Sequence, residues 1–326
     1  MRELIIFGRE LEPRPVTSTL PDWQQADPRW IGQALQRALD KPGGGWFVVD
    51  DRRKFGAQPR RYRIDDRDFV FWQGANGLMA ASDTCPHLGA SLSAGTVRNG
   101  CLVCPWHGLE LGERPMGNWA PLPVHDDGVL VWIRLDDCGE QLTERPIMAP
   151  RPATWLDATV RMEARCRPED ILANRLDPWH GAHFHPHTFG RLRVIERSDE
   201  DIIVRVAFLV LGRLAVEVDA RFHGPEPRTI VMTIVGGDGV GSVVETHATP
   251  IDDTHCAVIE STLATSDRPQ MKYVLPLARW IRPLIEKRAT RLWVEDVAYA
   301  ERRCALSVAD AQRGVTGIVH YPRNMP

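Results

Sequence analysis

The sequence has no apolar run that approaches the ~20 residues of a membrane-spanning helix. Its start, MRELIIFGRELEPRP, holds only four consecutive apolar residues, Leu4 to Phe7. A secretory leader needs an apolar stretch of ~7–15 residues. We therefore expect no transmembrane segment and no export, and we predict a cytoplasmic protein.

A strong charge of either sign is also missing. Among the 326 residues, 40 are Lys or Arg and 43 are Asp or Glu, which leaves a net charge of −3. The basic residues are scattered along the chain, so nothing indicates a nucleic-acid-binding surface. A composition of 43% hydrophobic and 25% charged residues is typical of a globular protein, and the length suggests two domains.

The cysteines are odd in number and irregularly spaced, which argues against a disulfide framework. The seven are Cys85, Cys101, Cys104, Cys138, Cys166, Cys256 and Cys304. Thiols stay reduced in the cytoplasm. Cysteines that stand close to histidines in such a chain therefore indicate a metal ion or an iron–sulfur cluster.

Composition divides the chain into four stretches. Residues 1–44 form an N-terminal extension with one short helix, Pro28 to Leu39, which Asp27 caps. Residues 45–140 alternate short apolar segments with turn residues, which predicts an all-β domain. The proline-rich residues 141–155 form a linker, and residues 156–326 form the second domain.

The second domain begins with a strand over 157–164 and a helix over 168–181. Six further strands are predicted over 192–197, 201–210, 214–223, 228–235, 241–249 and 255–264. The glycines of GGDGVG (236–241) lie between two strands, so they predict a hairpin turn and not a nicotinamide or flavin site. A last helix over 284–306 begins after Pro283, and together these elements predict an α+β fold.

Two motifs in the β domain combine cysteine with histidine. CPH holds Cys85 and His87, and CPWH holds Cys104 and His107 after a gap of 16 residues. Two thiolates and two imidazoles can bind zinc, or a 2Fe–2S cluster with cysteines on one iron and histidines on the other. Cys101 makes a second CxxC with Cys104, but it falls in the strand-like LVC, where a free cysteine packs as a small hydrophobe.

The second domain contains a dense histidine cluster, HGAHFHPH, with His180, His183, His185 and His187. Imidazole is the commonest protein ligand of transition metals. His183 and His187 have a spacing that suits one helix face, but the intervening Pro186 disrupts a helix interior. We predict that His183 and His187 lie beside the metal site or on the surface.

The loops CPHLGASLSAG and CPWHGLEL resemble the cluster-binding loops of Rieske proteins. By this resemblance, Cys85 and Cys104 bind one iron of a 2Fe–2S cluster, and His87 and His107 bind the other. The histidines would then expose the cluster edge through which electrons leave.

Two positions in these loops indicate which branch of the Rieske proteins the sequence resembles. Respiratory Rieske proteins have an additional cysteine in each loop, where this sequence has Ala90 and Trp106. The loops are therefore more similar to those of the oxygenase or ferredoxin branch. We expect a reduction potential near the low end of the Rieske range, about −150 mV.

The stretch NRLDPWHGAHFH (174–185) resembles the mononuclear iron site of Rieske non-haem iron oxygenases. The matching residues are Asn174, Asp177, His180 and His185. The resemblance implies that His180 and His185 bind iron(II) together with Asp296 of WVEDVAYAERR (293–303). Two imidazoles and one carboxylate form the facial triad of non-haem iron enzymes.

Glu295 is the alternative to Asp296 as the third ligand. On a helix the two side chains point ~100° apart, so only one of them can face the site. Asp296 shares its face with Leu292, Trp293 and Ala300, an apolar side that suits inward packing. We therefore favour Asp296.

Asp177 and Asn174 have implied roles beside the iron. In the family, the residue at the position of Asp177 bridges two subunits, which here would link His107 of one chain to His180 of the next. Asn174 occupies the Asn position of the motif. The alternative for Asp177 is a helix-capping or solvated side chain.

The resemblance implies a terminal oxygenase of the α-only type, as in vanillate demethylase and ketosteroid hydroxylase oxygenases. The second domain would be a helix-grip (START-like) catalytic domain, and the chains would form a homotrimer. A separate ferredoxin or flavin reductase would supply electrons from NAD(P)H, and dioxygen would be the co-substrate.

The substrate pocket is expected between the strands 201–264 and the segment from Tyr273 to Trp293. The apolar residues of these segments suggest a lipophilic substrate, isoprenoid or steroid-like, that is hydroxylated, demethylated or desaturated. The alternative is a Rieske ferredoxin-like electron-transfer protein with a non-catalytic lipid-binding domain.

Overall fold

The N-terminal extension consists of short elements that lie against the second domain. In this computed structural model, residues 4–14, 20–269 and 271–313 are described. The extension contains strand β1 (Ile5–Phe7) and helices α1 (Asp22–Gln25) and α2 (Pro28–Leu39). The N–H of Arg29 donates to Oδ1 of Asp27 at 2.9 Å, which satisfies a free donor in the first helical turn. The predicted helix and its cap are confirmed.

The first domain is built entirely from short strands. They are β2 (Trp46–Asp51), β3 (Arg60–Ile64), β4 (Arg67–Gln73), β5 (Leu78–Ser82), β6 (Thr96–Arg98), β7 (Cys101–Val103), β8 (Glu110–Leu111), β9 (Pro121–Leu122), β10 (Val124–Asp126) and β11 (Leu130–Arg134). They form three antiparallel sheets in the orders β10-β11-β2, β3-β4-β5-β9 and β6-β7-β8. The predicted all-β domain is confirmed. The strands β6, β8, β9 and β10 were not predicted, because two or three residues are too short for an alternating pattern.

The second domain is one large antiparallel sheet. Its strands are β12 (Leu156–Ala164), β13 (Phe189–Arg197), β14 (Asp201–Leu211), β15 (Leu214–Glu226), β16 (Thr229–Gly237), β17 (Val243–Asp252) and β18 (His255–Ala264). Their order is β12-β18-β17-β16-β15-β14-β13, and β1 pairs in parallel with β15. The glycines of GGDGVG form the turn between β16 and β17, as predicted.

The helices of this domain differ from the prediction in two places. The predicted helix 168–181 is two helices, α3 (Pro168–Arg175) and α4 (His180–Phe184), with a turn between them. Pro178 lies in that turn, and the residue before a proline is disfavoured in a helix. The break matters because it changes the direction of the chain between Asn174 and His180.

The C-terminal helix begins earlier than predicted and passes through Pro283. Helix α5 (Met271–Val274) and a 3₁₀ turn (Leu275–Leu277) lead into α6 (Ala278–Gln312), which contains Pro283. A proline removes one backbone hydrogen bond, and packing supplies most helix stability in proteins. The long helix is held by Trp293 and Ala300, both fully buried in the core between α3 and the sheet.

The two domains share a hydrophobic core. Trp46, Val48 and Trp132 of the first domain pack with Ile259 and Leu263 of the large sheet. The first domain and the large sheet of the second domain therefore pack directly against each other.

One linker residue connects the domains electrostatically. Nη1 of Arg151 lies 3.0 Å from Oδ1 of Asp127 in the first domain. Its Nη2 lies 2.6 Å from Oε2 of Glu245 on β17. The two carboxylates and the guanidinium are almost completely buried. Residues 143–155 lie outside helices and strands, and the predicted boundaries of the linker, 141–155, stay a prediction.

Candidate iron–sulfur and mononuclear metal sites

The first Cys–His loop is closed by its own backbone. The N–H of Cys85 donates to the carbonyl of Ala90 at 2.9 Å, and the N–H of Gly89 donates to the carbonyl of Cys85 at 2.9 Å. Gly89 has a φ of 80°, in the left-handed region that glycine adopts at little cost. The turn thus needs glycine two residues after His87.

The second loop repeats this geometry. The N–H of Cys104 donates to the carbonyl of Leu109 at 2.9 Å, and the N–H of Gly108 donates to the carbonyl of Cys104 at 3.0 Å. Gly108 has a φ of 72°. The two loops thus share the same backbone closure around their cysteines, while the histidine lies two residues after the cysteine in the first loop and three residues after it in the second.

The loops bring the four predicted cluster residues to one place, with the thiols inside and the imidazoles outside. Cys85 and Cys104 are each 2% exposed, whereas His87 and His107 are exposed. The two imidazole rings have centroids 4.9 Å apart at an interplanar angle of 76°. This donor set fits a 2Fe–2S cluster with its cysteine-bound iron buried and its histidine-bound iron at the surface.

The backbone favours a bound thiolate at Cys104, whereas burial raises the pKa of the Cys85 thiol. Burial by itself raises the pKa of the Cys104 thiol. Hydrogen bonds from the backbone N–H groups of Trp106 and His107, together with one from the Cys85 side chain, outweigh burial and lower that pKa. Cys101 lies in β7, as predicted.

The mononuclear site is assembled from three separate helices. Nε2 of His180 on α4 lies 3.1 Å from Oδ1 of Asp296 on α6, and Nε2 of His185 lies 2.9 Å from the same oxygen. Nδ2 of Asn174 on α3 donates to that oxygen at 3.0 Å. The possible ligand atoms of His180, His185 and Asp296 lie within 4.8 Å of one another, so these three side chains could hold a metal ion.

The charge balance of this group favours a cation. Burial by itself raises the pKa of Asp296, but hydrogen bonds from His180 and His185 hold it well below its usual range. Burial by itself lowers the pKa of His180, but Asp177 and Asp296 raise it to about 9. Oδ2 of Asp296 is buried and has no hydrogen-bond partner among the described residues. Two imidazoles and a carboxylate with a free oxygen fit an iron(II) ion.

Asp177 lies behind His180 and is held by Tyr299. The Tyr299 hydroxyl donates to Oδ2 of Asp177 at 3.1 Å, and Nδ1 of His180 lies 3.6 Å from the same oxygen. The Tyr299 ring stacks on the His180 ring, with centroids 5.2 Å apart. Burial and the charge of Asp177 raise the pKa of Tyr299. Sequence reasoning missed Tyr299, although it lies three residues after Asp296, on the same helix face.

Glu295 contacts the site without joining the candidate ligand group. Its Oε2 lies 2.6 Å from Nδ1 of His185, while Asp296 contacts the opposite ring nitrogen. From the sequence, Glu295 and Asp296 are alternatives for the third metal ligand, but in the structure the buried ring of His185 lies between them. Glu295 therefore orients a candidate ligand from behind, as carboxylate partners of metal-bound histidines do.

The other two histidines of HGAHFHPH lie away from Asp296. His183 is exposed, and its Nε2 lies 2.8 Å from Oδ2 of Asp22 on α1. Nε2 of His187 lies 3.8 Å from Oε2 of Glu295. His183 thus ties the N-terminal extension to α4, and His187 lies beside the site.

A cavity of about 460 Å³ reaches the mononuclear site. Most of its wall is apolar and comes from the sheet: Leu192, Val204, Val206, Phe208, Val216, Val218, Phe222, Met232, Ile234 and Val244. Helix α6 adds Ile285, Ala289 and Leu292. The predicted sheet wall is confirmed, and these three residues of α6 fall within the predicted segment 273–293, although its two end residues do not line the cavity. Tyr273 is 67% exposed, and Trp293 faces the core.

Glu260 is a buried acidic side chain within the largely apolar wall. Glu260 is 5% exposed, and burial raises the pKa of its carboxyl. The Thr246 hydroxyl donates to its Oε2 at 3.2 Å, and Nη2 of Arg175 lies 3.8 Å away. The cavity thus offers a polar point near the metal site in otherwise apolar surroundings.

Comparisons with known proteins agree with this combination of a cluster-binding β domain and a sheet-and-helix domain with a buried metal-ligand group. Residues 45–127 match the Rieske [2Fe-2S] domain. Residues 137–311, more than half of the chain, match the family described as "Domain of unknown function (DUF5914)".

Two curated relatives share parts of the sequence. The vanillate O-demethylase oxygenase subunit of Pseudomonas sp. (strain HR199 / DSM 7063) is 42% identical over 72 residues, 22% of this chain and 20% of the relative. The dicamba O-demethylase oxygenase component of Stenotrophomonas maltophilia is 26% identical over 179 residues, 49% of this chain and 52% of the relative. The matches thus span between a fifth and about half of the length of these relatives.

Among solved structures, the crystal structure of dicamba monooxygenase bound to dicamba has the same fold. The TM-score is 0.63 at 20% sequence identity, and the match covers 85% of this chain and 92% of that one. The chain therefore belongs to the family described as DUF5914 and contains a Rieske [2Fe-2S] domain. It is similar in parts of its sequence to the oxygenase components of Rieske non-haem iron systems.

Proposed function

We propose that this protein is a terminal oxygenase that oxidises a lipophilic organic substrate with dioxygen. The observation that carries the proposal is the convergence of His180, His185 and Asp296 at the end of an apolar cavity, in a chain that also has a Rieske domain. When bound, a Rieske cluster supplies single electrons, and a mononuclear iron(II) binds and activates dioxygen.

The surrounding side chains hold the three proposed ligands in one geometry. Asn174 donates to Oδ1 of Asp296 and so fixes the plane of the carboxylate. Glu295 fixes the orientation and tautomer of His185 through Nδ1, which leaves Nε2 for the metal. The apolar wall excludes water from this end of the cavity.

The electron path requires more than one chain. His87 and His107 are exposed, and among the described residues no hydrogen bond or ring contact joins either of them to Asp177 or His180. We propose that the chain forms a homotrimer in which His107 of the partner subunit donates to Asp177. Tyr299 would hold the Asp177 carboxylate in position for that contact.

Light scattering tests the trimer. We expect a particle of three times the 36.7 kDa of the chain. A monomer at every concentration and salt condition would contradict the proposed electron path. Asp177→Asn should keep cluster and iron but lower turnover by at least ~100-fold, because the carboxylate that links the two centres is lost.

A separate ferredoxin or flavin reductase would deliver electrons from NAD(P)H to the exposed cluster edge. Leu88 and Trp106 flank the cluster histidines and are 62% and 60% exposed, which suits a docking site for such a partner. The odd number and irregular spacing of the seven cysteines argue against a disulfide framework and support our proposal of a cytoplasmic protein. No helix in the described ranges is long and apolar enough to cross a membrane.

The reaction would be a hydroxylation, a demethylation or a desaturation. The cavity wall supports a lipophilic substrate, and the buried Glu260 offers a hydrogen-bonding partner to one oxygen of that substrate. The two curated relatives described above are named as O-demethylases, which supports demethylation as the first reaction to test.

The test compares His180→Ala with His183→Ala, since the two histidines lie three residues apart. Wild type should contain about three irons and two acid-labile sulfides per chain. His180→Ala should drop to two irons and lose dioxygen uptake with a surrogate reductase and a panel of terpenoid and steroid substrates. His183→Ala should keep both. If His180→Ala keeps its iron and turnover, the oxygenase proposal fails; two irons in wild type would indicate an electron-transfer protein.

A further inference from the structure

The outer face of the C-terminal helical segment carries large apolar side chains. Tyr273, Leu277, Trp280 and Leu284 are 67%, 51%, 66% and 64% exposed. Tyr273 lies in α5, Leu277 in the 3₁₀ turn, and Trp280 and Leu284 four residues apart on one face of α6. We call these four residues the outer stripe.

The inner face of the same helix forms part of the cavity wall. Ile285 and Leu292 line the cavity. Nη2 of Arg288 donates to the carbonyl of Leu209 at 2.9 Å, which fastens the helix to the end of strand β14. Val210 in the same strand is 45% exposed. The outer stripe therefore lies on the outside of the wall that separates the cavity from solvent.

A second depression, of about 740 Å³, adjoins this wall. Leu4, Val210 and Arg288 are among its lining residues, and Phe189 and Leu209 line both spaces. Strand β1, with Ile5 57% exposed, runs beside it. Apolar side chains from β13, β14 and the N-terminal segment thus surround this depression, and Arg288 borders it from α6. Because the depression shares lining residues with the cavity, we call it the entrance.

Basic side chains flank the outer stripe. Between residues 271 and 291 the sequence has six basic residues and one acidic residue, although the whole chain carries a net charge of −3. Nζ of Lys272 lies 5.0 Å from the centre of the Tyr273 ring, and the guanidinium of Arg279 lies 5.0 Å from that of Trp280. Exposed aromatic and aliphatic residues bordered by cations are typical of helices that lie in a membrane interface.

We propose that the outer stripe docks on an anionic lipid bilayer. Tyr273 and Trp280 would lie at the headgroup level, Leu277 and Leu284 would reach the acyl boundary, and the flanking cations would contact lipid phosphates. A symmetric contact with a second copy of the chain would bring two such basic segments together, which is unfavourable. The docking does not depend on the proposed oxygenase activity. When the protein is docked in this way, the entrance beside Val210 faces the bilayer, from which a lipophilic substrate could enter.

Vesicle sedimentation of the holoprotein tests the docking. We expect binding to vesicles of phosphatidylcholine and phosphatidylglycerol, weaker binding to phosphatidylcholine alone, and release by salt as screening increases. Trp280→Glu combined with Leu284→Glu should lower the partition coefficient at least ~10-fold, because two buried apolar contacts are lost. Trp23→Glu, at a tryptophan that is 56% exposed on α1, should leave binding unchanged.

A milder variant separates docking from misfolding. Trp280→Phe should still bind and keep the visible absorbance of the cluster, but it should show less quenching of tryptophan fluorescence by brominated phosphatidylcholine. Trp23→Phe should show the full quenching.

Three results would overturn the docking. They are a wild-type protein that ignores anionic vesicles, equal binding by the double glutamate variant, and a double variant whose only change is a smaller particle in light scattering. The last result would assign the outer stripe to a subunit interface.

Discussion

The cluster loops and the mononuclear site hold their metal-binding side chains in opposite ways. Each loop is short and closed by its own backbone, as in the bond from the Cys85 N–H to the Ala90 carbonyl, and its histidine is exposed. The mononuclear residues come from α3, α4 and α6, up to 122 residues apart, and His185 and Asp296 are each 1% exposed.

The cluster loops are thus shaped by local backbone interactions, whereas the mononuclear site is shaped by tertiary packing. Backbone hydrogen bonds and one left-handed glycine suffice to shape a cluster loop. The mononuclear site exists only when α6 packs across the sheet, because Asp296 reaches the histidines through that packing. The cluster site should therefore be sensitive to its ligands alone, and the mononuclear site also to the side chains behind its ligands.

The largest effect is expected at the cluster. Cys104→Ser should abolish the cluster absorbance and lower the iron content by about two per chain, because a thiolate ligand is lost. Cys101→Ser is the matched control, since Cys101 lies three residues away in β7, and it should keep the cluster. Loss of the cluster in both variants would contradict the assignment of Cys104. Absorbance and sulfide analysis measure the outcome.

The next effect is expected at the mononuclear site. Asp296→Ala should remove about one iron per chain and lower turnover by more than ~100-fold, while the cluster absorbance stays. Asp253→Ala, at an exposed aspartate in the turn between β17 and β18, should change neither. If the cluster disappears together with the mononuclear iron, the two sites are not independent.

The contact between the two domains should depend on the charge of Arg151. Arg151→Ala leaves Asp127 and Glu245 buried without their cation, and should lower the free energy of unfolding by about 3–5 kcal/mol. Against the effect of burial, Arg151 lowers the pKa of Asp127, and His247 together with Arg151 lowers the pKa of Glu245. This contribution is therefore present at neutral pH and is lost as pH falls below ~4.

Urea unfolding at pH 7 and pH 3.5 measures the effect of Arg151. The difference between wild type and Arg151→Ala should shrink at the lower pH, and an unchanged difference would contradict the ion-pair explanation. Arg151→Lys should recover part of the stability, because lysine keeps the charge but cannot make both contacts in the same way.

A smaller effect on iron binding is expected from Glu295, which supports the ligand His185. Glu295→Gln should weaken iron binding ~10–100-fold without changing the cluster, because the carboxylate that orients His185 is lost. Glu301→Gln lies two turns further along the same helix, where the Glu301 carboxylate accepts the N–H of Arg165, and should bind iron as wild type does. Titration of the apoprotein with iron(II) compares the two; equal affinity would show that Glu295 does not support His185.

Much of the fold was predictable because its signals are local. The cap at Asp27, the strand periodicities and the glycine turn at 236–241 depend on neighbouring residues only. The predicted start of the last helix after Pro283 was wrong, because tertiary packing of α6 outweighs the loss of one hydrogen bond. The helix 168–181 was predicted as continuous because apolar periodicity runs across the turn at Pro178.

The sequence by itself determined the metal-binding chemistry, since residue type and spacing limit Cys85, His87, Cys104 and His107 to very few metal groups, and the resemblance supplied His180, His185 and Asp296. The tertiary structure alone decided what surrounds them. Tyr299, Glu295 and Glu260 reach the site because α6 and β18 pack against α3 and α4, and no spacing in the chain encodes contacts between elements more than 80 residues apart. The exposed side of α6 was decided in the same way, because packing determines which face of a helix is buried.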